Sequence, residues 1–367
     1  MNTSSPTVTS PSFAQSTWLV AEREIGSKLR SKSFLISFGI LFLGALALVV
    51  WGGFSAGDTS GTPVAVTSDA AQYVQNAQGL ELDDVADREA AETAVRDGDI
   101  DAAIVGDPSS PTGFVVIGDT SVSNSVLMSL AQLPPVELLD PDGDAGFIGY
   151  FVAIGFGVVF LLSAQTFGAT IAQSVVEEKQ TRVVELLISA VPVRALLAGK
   201  VIGNTVLAMG QILILAAISV IGLTVTDQTE LLTGIGAPIA WFAVFFLFGF
   251  VLLAALFAAA AAMVSRQEDI GATTTPLILL IMAPYFLVIF AWNNPLILGI
   301  MSYVPFSAPI GMPMRLFLGD ALWWEPLASL AILFATCIGA ILVGAKIYEN
   351  SLLRMGARVK LSEALRR

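Results

Sequence analysis

Residues 174–192 read Ser-Val-Val-Glu-Glu-Lys-Gln-Thr-Arg-Val-Val-Glu-Leu-Leu-Ile-Ser-Ala-Val-Pro, a short charged stretch between two long apolar segments. Glu178 and Arg182 lie four residues apart with the acid first, a spacing that favours an ion pair on one face of a helix. Apolar residues recur at helical spacing along the same stretch, at Val183, Leu186, Leu187 and Ala190. Because Pro192 cannot continue a helix, we predict an amphipathic helix over residues 174–191 that lies at a membrane surface.

Two roles fit an amphipathic helix of this kind. In the first, the helix simply lies at the level of the lipid headgroups. In the second, it is a docking element for a cytoplasmic partner. The pattern of residues 174–191 alone leaves both roles open.

The composition is that of a polytopic membrane protein. Apolar residues make up 55% of the chain and charged residues 13%, with a mean hydropathy of +0.78. The chain has no His, and its single Cys, Cys337, lies inside an apolar run. This inventory excludes His or Cys metal sites, disulfides and Cys/His nucleophilic catalysis.

Six apolar runs are long enough to cross a bilayer. The first, residues 34–54, has no charged residue over 21 positions. A secretory signal peptide is the alternative for this run, but 33 residues that include Glu22 and Glu24 precede it, so we expect an uncleaved anchor. The other five predicted spans are residues 147–172, 201–223, 235–264, 272–292 and 323–345.

The N-terminal region before the first span divides into two parts. Residues 1–12 are rich in Ser, Thr and Pro, which predicts a disordered tail. Residues 13–33 predict a helix that lies in the membrane interface. Its apolar residues are about four apart, at Ala14, Trp18, Ala21, Ile25 and Leu29. Its polar side carries Glu22, Arg23, Glu24, Lys28, Arg30 and Lys32.

Residues 55–146 form an acidic segment, with seventeen Asp or Glu against two Arg. Predicted strands at 62–67, 102–105 and 113–117, with a helix at 87–97 that Gly98 ends, indicate a small α/β domain. A disordered acidic loop is the alternative. A calcium site is disfavoured because the acids lack the spacing, central Gly and closing Glu of a calcium loop, which leaves a solvated acidic face. These acids are Asp83, Asp84, Asp87, Asp97, Asp99 and Asp101.

The distribution of basic residues predicts the orientation in the membrane. Fifteen of the eighteen Lys and Arg lie in the N-terminal region, in the loops at 173–200 and 265–271, and in the tail at 346–367. Short basic flanks stay in the cytoplasm, so we expect both termini inside the cell and the acidic domain outside, in a multi-pass plasma-membrane protein.

The energy source for any transport has to be a separate protein. The predicted spans hold no ionisable residue away from their ends, unlike ion-driven carriers. There is also no phosphate-binding loop, because Gly199-Lys200 is followed by Val and Arg194 stands where a Gly is required. The polar residues within the spans fit ordinary hydrogen bonds between helices better than a substrate path: Gln165, Thr166, Asn204, Gln211 and Thr273 to Thr275.

Residues 177–187, Glu-Glu-Lys-Gln-Thr-Arg-Val-Val-Glu-Leu-Leu, followed by Val-Pro-Val-Arg-Ala-Leu-Leu-Ala-Gly-Lys at 191–200, resemble the coupling region of type-2 ABC transporter permeases of the NatB-like branch. The order of parts along the chain is similar too. The proline-rich residues 303–315 and the ending at 347–361 add to the resemblance. It covers nearly the whole chain and says little about the substrate.

The resemblance implies two sets of site residues. The first would couple the chain to an ATPase: Glu177, Glu178, Lys179, Thr181, Arg182, Glu185 and Leu186. The second belongs to the outer segment at 293–322: Pro305, Phe306, Pro309, Met312, Pro313 and Arg315. The prolines there prevent a long helix, so we expect broken half-helices that re-enter the outer leaflet, with an ordinary proline-rich loop as the alternative.

The resemblance, together with the absence of a phosphate-binding loop, implies the membrane subunit of an ATP-driven ABC exporter. It would bind no cofactor, metal or nucleic acid and catalyse no reaction itself, while separate ATPase subunits hold ATP and Mg. Two permease subunits, identical or not, would pair, and Gly199 and Gly203 would let a neighbouring helix approach closely. The alternative is a membrane-anchored sensor whose external domain binds a ligand. A membrane enzyme is a third and weaker possibility.

Overall fold

The structure of the chain is a computed structural model. It describes residues 12–57, 62–74, 77, 79–98, 100–119, 122–130, 146–181, 183–226, 229–352, 354 and 359–366. The chain divides into two compact units, one of Met1–Trp51 with Asp142–Arg367 and the other of Gly52–Pro141. The predicted disordered tail lies outside the described residues, except for Ser12.

The described residues are mostly helical, with one small sheet. In chain order the elements are α1 (Phe13–Leu29), α2 (Lys32–Gly57), β1 (Thr62–Thr67), α3 (Ala71–Val74), β2 (Leu80–Val85), α4 (Arg88–Asp97), β3 (Ala102–Gly106), β4 (Phe114–Ile117), α5 (Asn124–Leu130), α6 (Gly146–Gln180), α7 (Val183–Ala190), α8 (Val193–Val225), α9 (Thr229–Ala262), α10 (Ile270–Phe290), α11 (Pro295–Met301), α12 (Ala308–Phe317), α13 (Glu325–Leu352) and α14 (Leu361–Leu365). A single 3-10 turn, Gln267–Asp269, precedes α10.

Six of these helices, α2, α6, α8, α9, α10 and α13, are long and apolar enough to cross a membrane. The prediction of six spans is therefore confirmed. The largest differences from the predicted bounds are in α6, which continues to Gln180, and in α8, which begins at Val193. Glu177 to Lys179, predicted in a separate amphipathic helix, and Lys200, predicted before the third span, consequently lie in the ends of long helices.

The helical unit is built around α9, two thirds of whose apolar window is buried inside the chain. Phenylalanines one turn apart on α9 meet phenylalanines of α6. Phe156 stacks on Phe242 with ring centroids 4.7 Å apart, and Phe160 meets Phe246 edge to face at 5.8 Å. These ring contacts pack the first half of α6 against the middle of α9.

The residues between α10 and α13 form two short helices, α11 and α12, in place of one long helix. Pro309 lies in the first turn of α12, where its missing N–H removes no hydrogen bond from the helix. Every side chain from Ala308 to Met314 is buried. At Gly249 of α9 a Cβ would lie 2.5 Å from Pro309 Cγ, so this glycine permits α12 to approach α9.

The second unit holds a four-stranded sheet of strand order β2-β1-β3-β4. β1 pairs in parallel with β2 and β3, and β4 is antiparallel to β3. Val64, Val66 and Ile104 pack on one side of the sheet, and Ala65 and Val105 pack on the other. Helices cover both faces, as expected for a parallel sheet. Along the chain these strands lie between α2 and α6.

The α/β prediction missed one strand of this sheet. The strand β2 reads Leu-Glu-Leu-Asp-Asp-Val, and its acidic residues disfavour a strand by propensity. It is an edge strand and its central residues are exposed, so its charges stay in water. The predicted helix is present as α4, with Asp87 as its N-cap and Gly98 at φ 82° as its C-cap.

Candidate functional site

The N-terminal helix α1 packs directly on α8, and two glycines of α8 make this contact possible. A Cβ on Gly199 would lie 2.7 Å from the Thr17 carbonyl oxygen, and a Cβ on Gly203 would lie 3.0 Å from that of Ala21. The buried face of α1 is Ser16, Thr17, Val20, Ala21 and Glu24. The predicted apolar face of α1 is divided: Ala21 is buried and Ile25 packs against the core. Trp18 and Leu29 are exposed, and Glu24, assigned to the polar side, is buried.

A charge cluster of Arg23, Glu24, Ser174, Glu178 and Lys200 joins α1, α6 and α8. The ammonium of Lys200 lies 2.8 Å from Glu24 Oε1 and 3.0 Å from Glu178 Oε1, and it donates to Ser174 Oγ at 2.6 Å. Arg23 forms ion pairs with both Glu24 and Glu178. The Lys200 side chain is wholly buried, so these two acids neutralise a charge that the apolar helix could not otherwise hold.

The electrostatics of α1 reflect this pairing. Burial alone would raise the pKa of Glu24, but the charges and hydrogen bonds of Lys200 and Arg23 hold it below its ordinary value. Burial would lower the pKa of Arg23, yet Glu178 and Glu24 raise it. One atom of the cluster is less well placed. Glu178 Oε2 is buried and has no hydrogen-bond partner among the described residues.

Lys179, the residue after Glu178, connects the end of α6 to two other helices by hydrogen bonds. Its side chain is fully buried. Its ammonium donates to the carbonyl oxygens of Ala262 at 2.8 Å and Ser351 at 3.0 Å, at the C-terminal ends of α9 and α13. The last carbonyls of a helix lack partners within the helix and carry partial negative charge, so a lysine there stabilises both ends.

The stretch at 174–191 is not one helix, as predicted, but two. Its first half is the end of α6 and its second half is α7. Arg182 lies outside the described residues, and so does the predicted ion pair between Glu178 and Arg182. Glu178 pairs instead with Arg23 and Lys200.

The predicted coupling residues separate into two groups. Glu178 and Lys179 point into the helical unit, as described above. The remaining described members, Glu177, Thr181, Glu185 and Leu186, are exposed. On α7, Leu186 is 74% exposed, while Val184 is buried and holds the helix to the unit. Of the predicted coupling residues that the structure describes, those accessible to another protein therefore lie on α7 and around the last turn of α6.

The proline-rich residues lie on a different part of the molecule, inside the helical unit. Pro309, Met312 and Pro313 are buried, whereas Pro305 and Phe306 are half-buried. Arg315 pairs with Glu325 through both carboxylate oxygens, at 3.1 and 2.8 Å. Tyr303 Oη donates to the same carboxylate at 2.9 Å, and so does the backbone N–H of Leu322 at 2.7 Å. These contacts hold α12 to the start of α13.

Sequence reasoning missed Glu24 and Lys200, the two residues at the centre of the charge cluster. A signal existed in both cases. Lys200 stands between Gly199 and Gly203 at the start of an apolar run, and Glu24 falls on the same helical face as Val20 and Thr17. Among the residues that the structure describes, no group of three or more His, Cys, Asp or Glu could hold a metal ion.

Two curated proteins are similar to part of the chain. The uncharacterised protein YhaP of Bacillus subtilis (strain 168) is 26% identical over 223 residues, 57% of this chain and 53% of YhaP. The uncharacterised protein MJ1024 of Methanocaldococcus jannaschii is 24% identical over 224 residues, 60% of this chain and 54% of MJ1024. The matches thus span about half the length of these curated relatives. No solved structure matches significantly.

The family comparison covers much more of the chain. Residues 32–346, from the start of α2 nearly to the end of α13, match the family described as ABC-2 family transporter protein. This range includes five candidate spans and most of the sixth, together with α7 and the α11–α12 pair. The chain is therefore a multi-pass membrane protein that belongs to the ABC-2 transporter family.

Proposed function

We propose that the chain is the membrane-spanning permease subunit of an ABC exporter, driven by a separate ATPase subunit that binds ATP and Mg. Membership of the ABC-2 family supports a transport subunit. The amino-acid sequence of residues 177–200, which resembles the coupling region of the NatB-like branch, supports membership of that branch. The lack of a phosphate-binding loop in the sequence supports an energy source on another chain.

One observation carries the proposal: the corner between α6 and α7 is tied to four other helices. The charge cluster links it to α1 and α8, and Lys179 links it to the ends of α9 and α13. A force applied to the exposed surface of α7 is thereby delivered to most of the helical unit. This is the mechanical requirement for coupling ATP-driven movement of a partner to the spanning helices.

The residues then have different roles in coupling. Glu177, Thr181, Glu185 and Leu186 would touch the ATPase, together with Arg182. Glu178 and Lys179 would transmit the movement inward, since their side chains are already engaged within the subunit. Two permease subunits, identical or different, would enclose the path between them.

The experiment is to measure retention of the ATPase by purified permease variants. Glu185→Arg with Leu186→Glu changes two exposed side chains of α7, so the melting temperature should stay the same. The affinity for the ATPase should fall about 30-fold or more, because interfacial charges are worth about 2 kcal/mol or more. Asp320→Arg is the matched control. Asp320 is an exposed acid just before the start of α13, at the end of that helix farthest from the Lys179 contact. Full ATPase retention by the α7 variant would contradict the proposal.

The orientation is a separate part of the proposal and has its own test. The asymmetry of Lys and Arg places both termini and α7 in the cytoplasm and the sheet unit outside. Because the native Cys337 is buried, a cysteine at Ser110 or Thr181 should dominate labelling. An impermeant reagent should label the Ser110→Cys protein in intact cells and leave the Thr181→Cys protein unlabelled. The reverse pattern would overturn this topology.

A second function, that of a membrane-anchored sensor, is favoured by the sheet unit. That unit has its own packed core on both faces of the sheet, as a ligand-binding domain would require. Co-purification of an ATPase with the full chain supports the permease. A signalling partner in its place would support the sensor.

A further inference from the structure

A groove of about 830 Å³ opens on the side of the helical unit between α8 and α13. Both helices pack along α9, which forms the floor of the groove through Val251 and Ala255. The walls are apolar over most of their length, with Leu197 and Ile202 on α8 and Leu342 on α13. The hydroxyl of Thr205 donates to the Val201 carbonyl of its own helix, so it adds no unmet polar group.

The length of the groove matches one leaflet of a bilayer. Its lining residues on α8 run from Arg194 to Val206, which at 1.5 Å per residue is about 18 Å. Half of a hydrocarbon core of about 30 Å is about 15 Å. An acyl chain that enters from one membrane surface would therefore fill the groove along its whole depth.

The mouth of the groove carries charge, in contrast to its walls. Arg194 pairs with Glu349, with Nε 2.7 Å from Oε1 and Nη2 3.3 Å from Oε2, and these two charges cancel. Lys346 lies one turn before Glu349 on α13, is exposed, and takes part in none of the ion pairs of the described residues. The mouth thus has one positive charge without a partner, at the level where an apolar groove ends.

We propose that this groove binds one anionic phospholipid, with the phosphodiester at Lys346 and an acyl chain along α8, α9 and α13. An uncompensated cation at the headgroup level attracts an anionic lipid, and the apolar walls take up its chain. The mouth is at the end of α13 that contacts Lys179, so in the proposed orientation the lipid comes from the cytoplasmic leaflet. The site goes beyond the permease role and does not depend on any ATPase.

The test counts lipids retained by the purified full-length chain. The protein is titrated with phosphatidylglycerol or phosphatidylcholine in detergent, and native mass spectrometry counts the bound molecules. Phosphatidylglycerol should bind more tightly than phosphatidylcholine. Lys346→Glu changes the charge at the mouth by two units, and each unit contributes about 1 kcal/mol to binding of an anionic lipid. The change should therefore weaken phosphatidylglycerol binding about 30-fold and leave phosphatidylcholine binding unaffected. Arg266→Glu is the matched control. Arg266 is exposed and follows the C-terminal end of α9, and it does not line the groove.

A second variant addresses the apolar part. Ala198→Phe places a ring in the groove and should reduce binding of both lipids, and a photoreactive acyl chain should label α8 or α13 in the unaltered protein. Equal affinity for the two lipids, an equal effect of Arg266→Glu and Lys346→Glu, or labelling elsewhere would overturn the proposal. So would a disulfide between copies carrying Ile202→Cys or Leu342→Cys in membranes, because a second copy would then occupy the groove.

Discussion

Two ion-pair sites, one around the buried Lys200 and one at the half-buried Arg315–Glu325 pair, lie near opposite ends of α13, and they are built differently. The charge cluster joins residues 24, 178 and 200, which come from three helices far apart in sequence. The Arg315–Glu325 pair joins residues ten apart in sequence, across the short connection between α12 and α13. Glu325 lies about 39 Å along α13 from Ser351, which contacts Lys179 beside the cluster.

The difference shows what each site stabilises. The Arg315–Glu325 pair closes a local turn, and its carboxylate also accepts from Tyr303 and from the Leu322 backbone. The charge cluster holds three separate helices, and Glu178 Oε2 within it has no hydrogen-bond partner in the described part of the chain. A local site tolerates the loss of one partner better, since other donors remain. The cluster depends on one central cation.

The largest expected effect therefore comes from Lys200. Replacing it by Met leaves Glu24 and Glu178 facing each other with only the half-exposed Arg23 between them. Breaking a buried pair in this way costs about 3 to 5 kcal/mol of stability. The midpoint of thermal inactivation in detergent should fall sharply, and a disulfide engineered between α1 and α8 should form less readily.

Lys360→Met, an exposed lysine with the same charge change, should leave both measurements unchanged. Removing Glu24 and Lys200 together should cost less than the sum of the two single changes, because the double variant leaves fewer unpaired charges. A loss below about 1 kcal/mol for Lys200→Met would mean that the cluster does not hold α1.

The same contrast explains how much the sequence could predict. Six spans follow from the lengths of apolar runs, and α4 follows from Asp87 and Gly98. The ends of α6 and α8 do not follow, because a single sequence does not show whether charged residues continue an apolar helix or belong to the connection after it. Lys200 is buried inside a helix because Glu24, 176 positions away, and Glu178 neutralise its charge. The sequence likewise predicts Glu178 and Lys179 as exposed contacts, because their partners lie on helices that are distant along the chain.

The Arg315–Glu325 pair should give a smaller effect. Arg315→Leu removes the main cation near Glu325, whose carboxylate keeps the Tyr303 hydroxyl and the Leu322 N–H. We expect a loss of about 1.5 to 3 kcal/mol, the range for hydrogen bonds to charged groups. The disulfide between α1 and α8 should form normally in this variant. If it forms poorly, the two sites are coupled along α13, and the comparison between a local and a long-range site fails.

Packing of α1 on α8 can be disturbed without any change of charge. Gly199→Val places a side chain against Val20 and the Thr17 carbonyl, and overpacking of this kind costs about 1 to 3 kcal/mol. Gly210→Ala on the same helix is the control, because a Cβ there meets nothing within 4 Å. That change should stabilise α8 slightly through helix propensity. Equal outcomes for the two glycines would show that α1 is not held against α8.

The smallest effect expected is that of Glu24→Gln, which separates the charge of the cluster from its shape. The amide oxygen can still accept from Lys200, so only the charge-assisted part of the bond is lost, about 1 kcal/mol. The pKa of Glu24 is lowered in the folded chain by Lys200 and Arg23. Its stabilising contribution is therefore present above the pKa of the unfolded chain and is lost as the pH falls through the folded value. The wild type should exceed the variant in melting temperature at pH 7, and the gap should close as the solution is acidified below the usual range for a glutamate. A gap that stays constant across that range would show that Glu24 contributes by its shape alone.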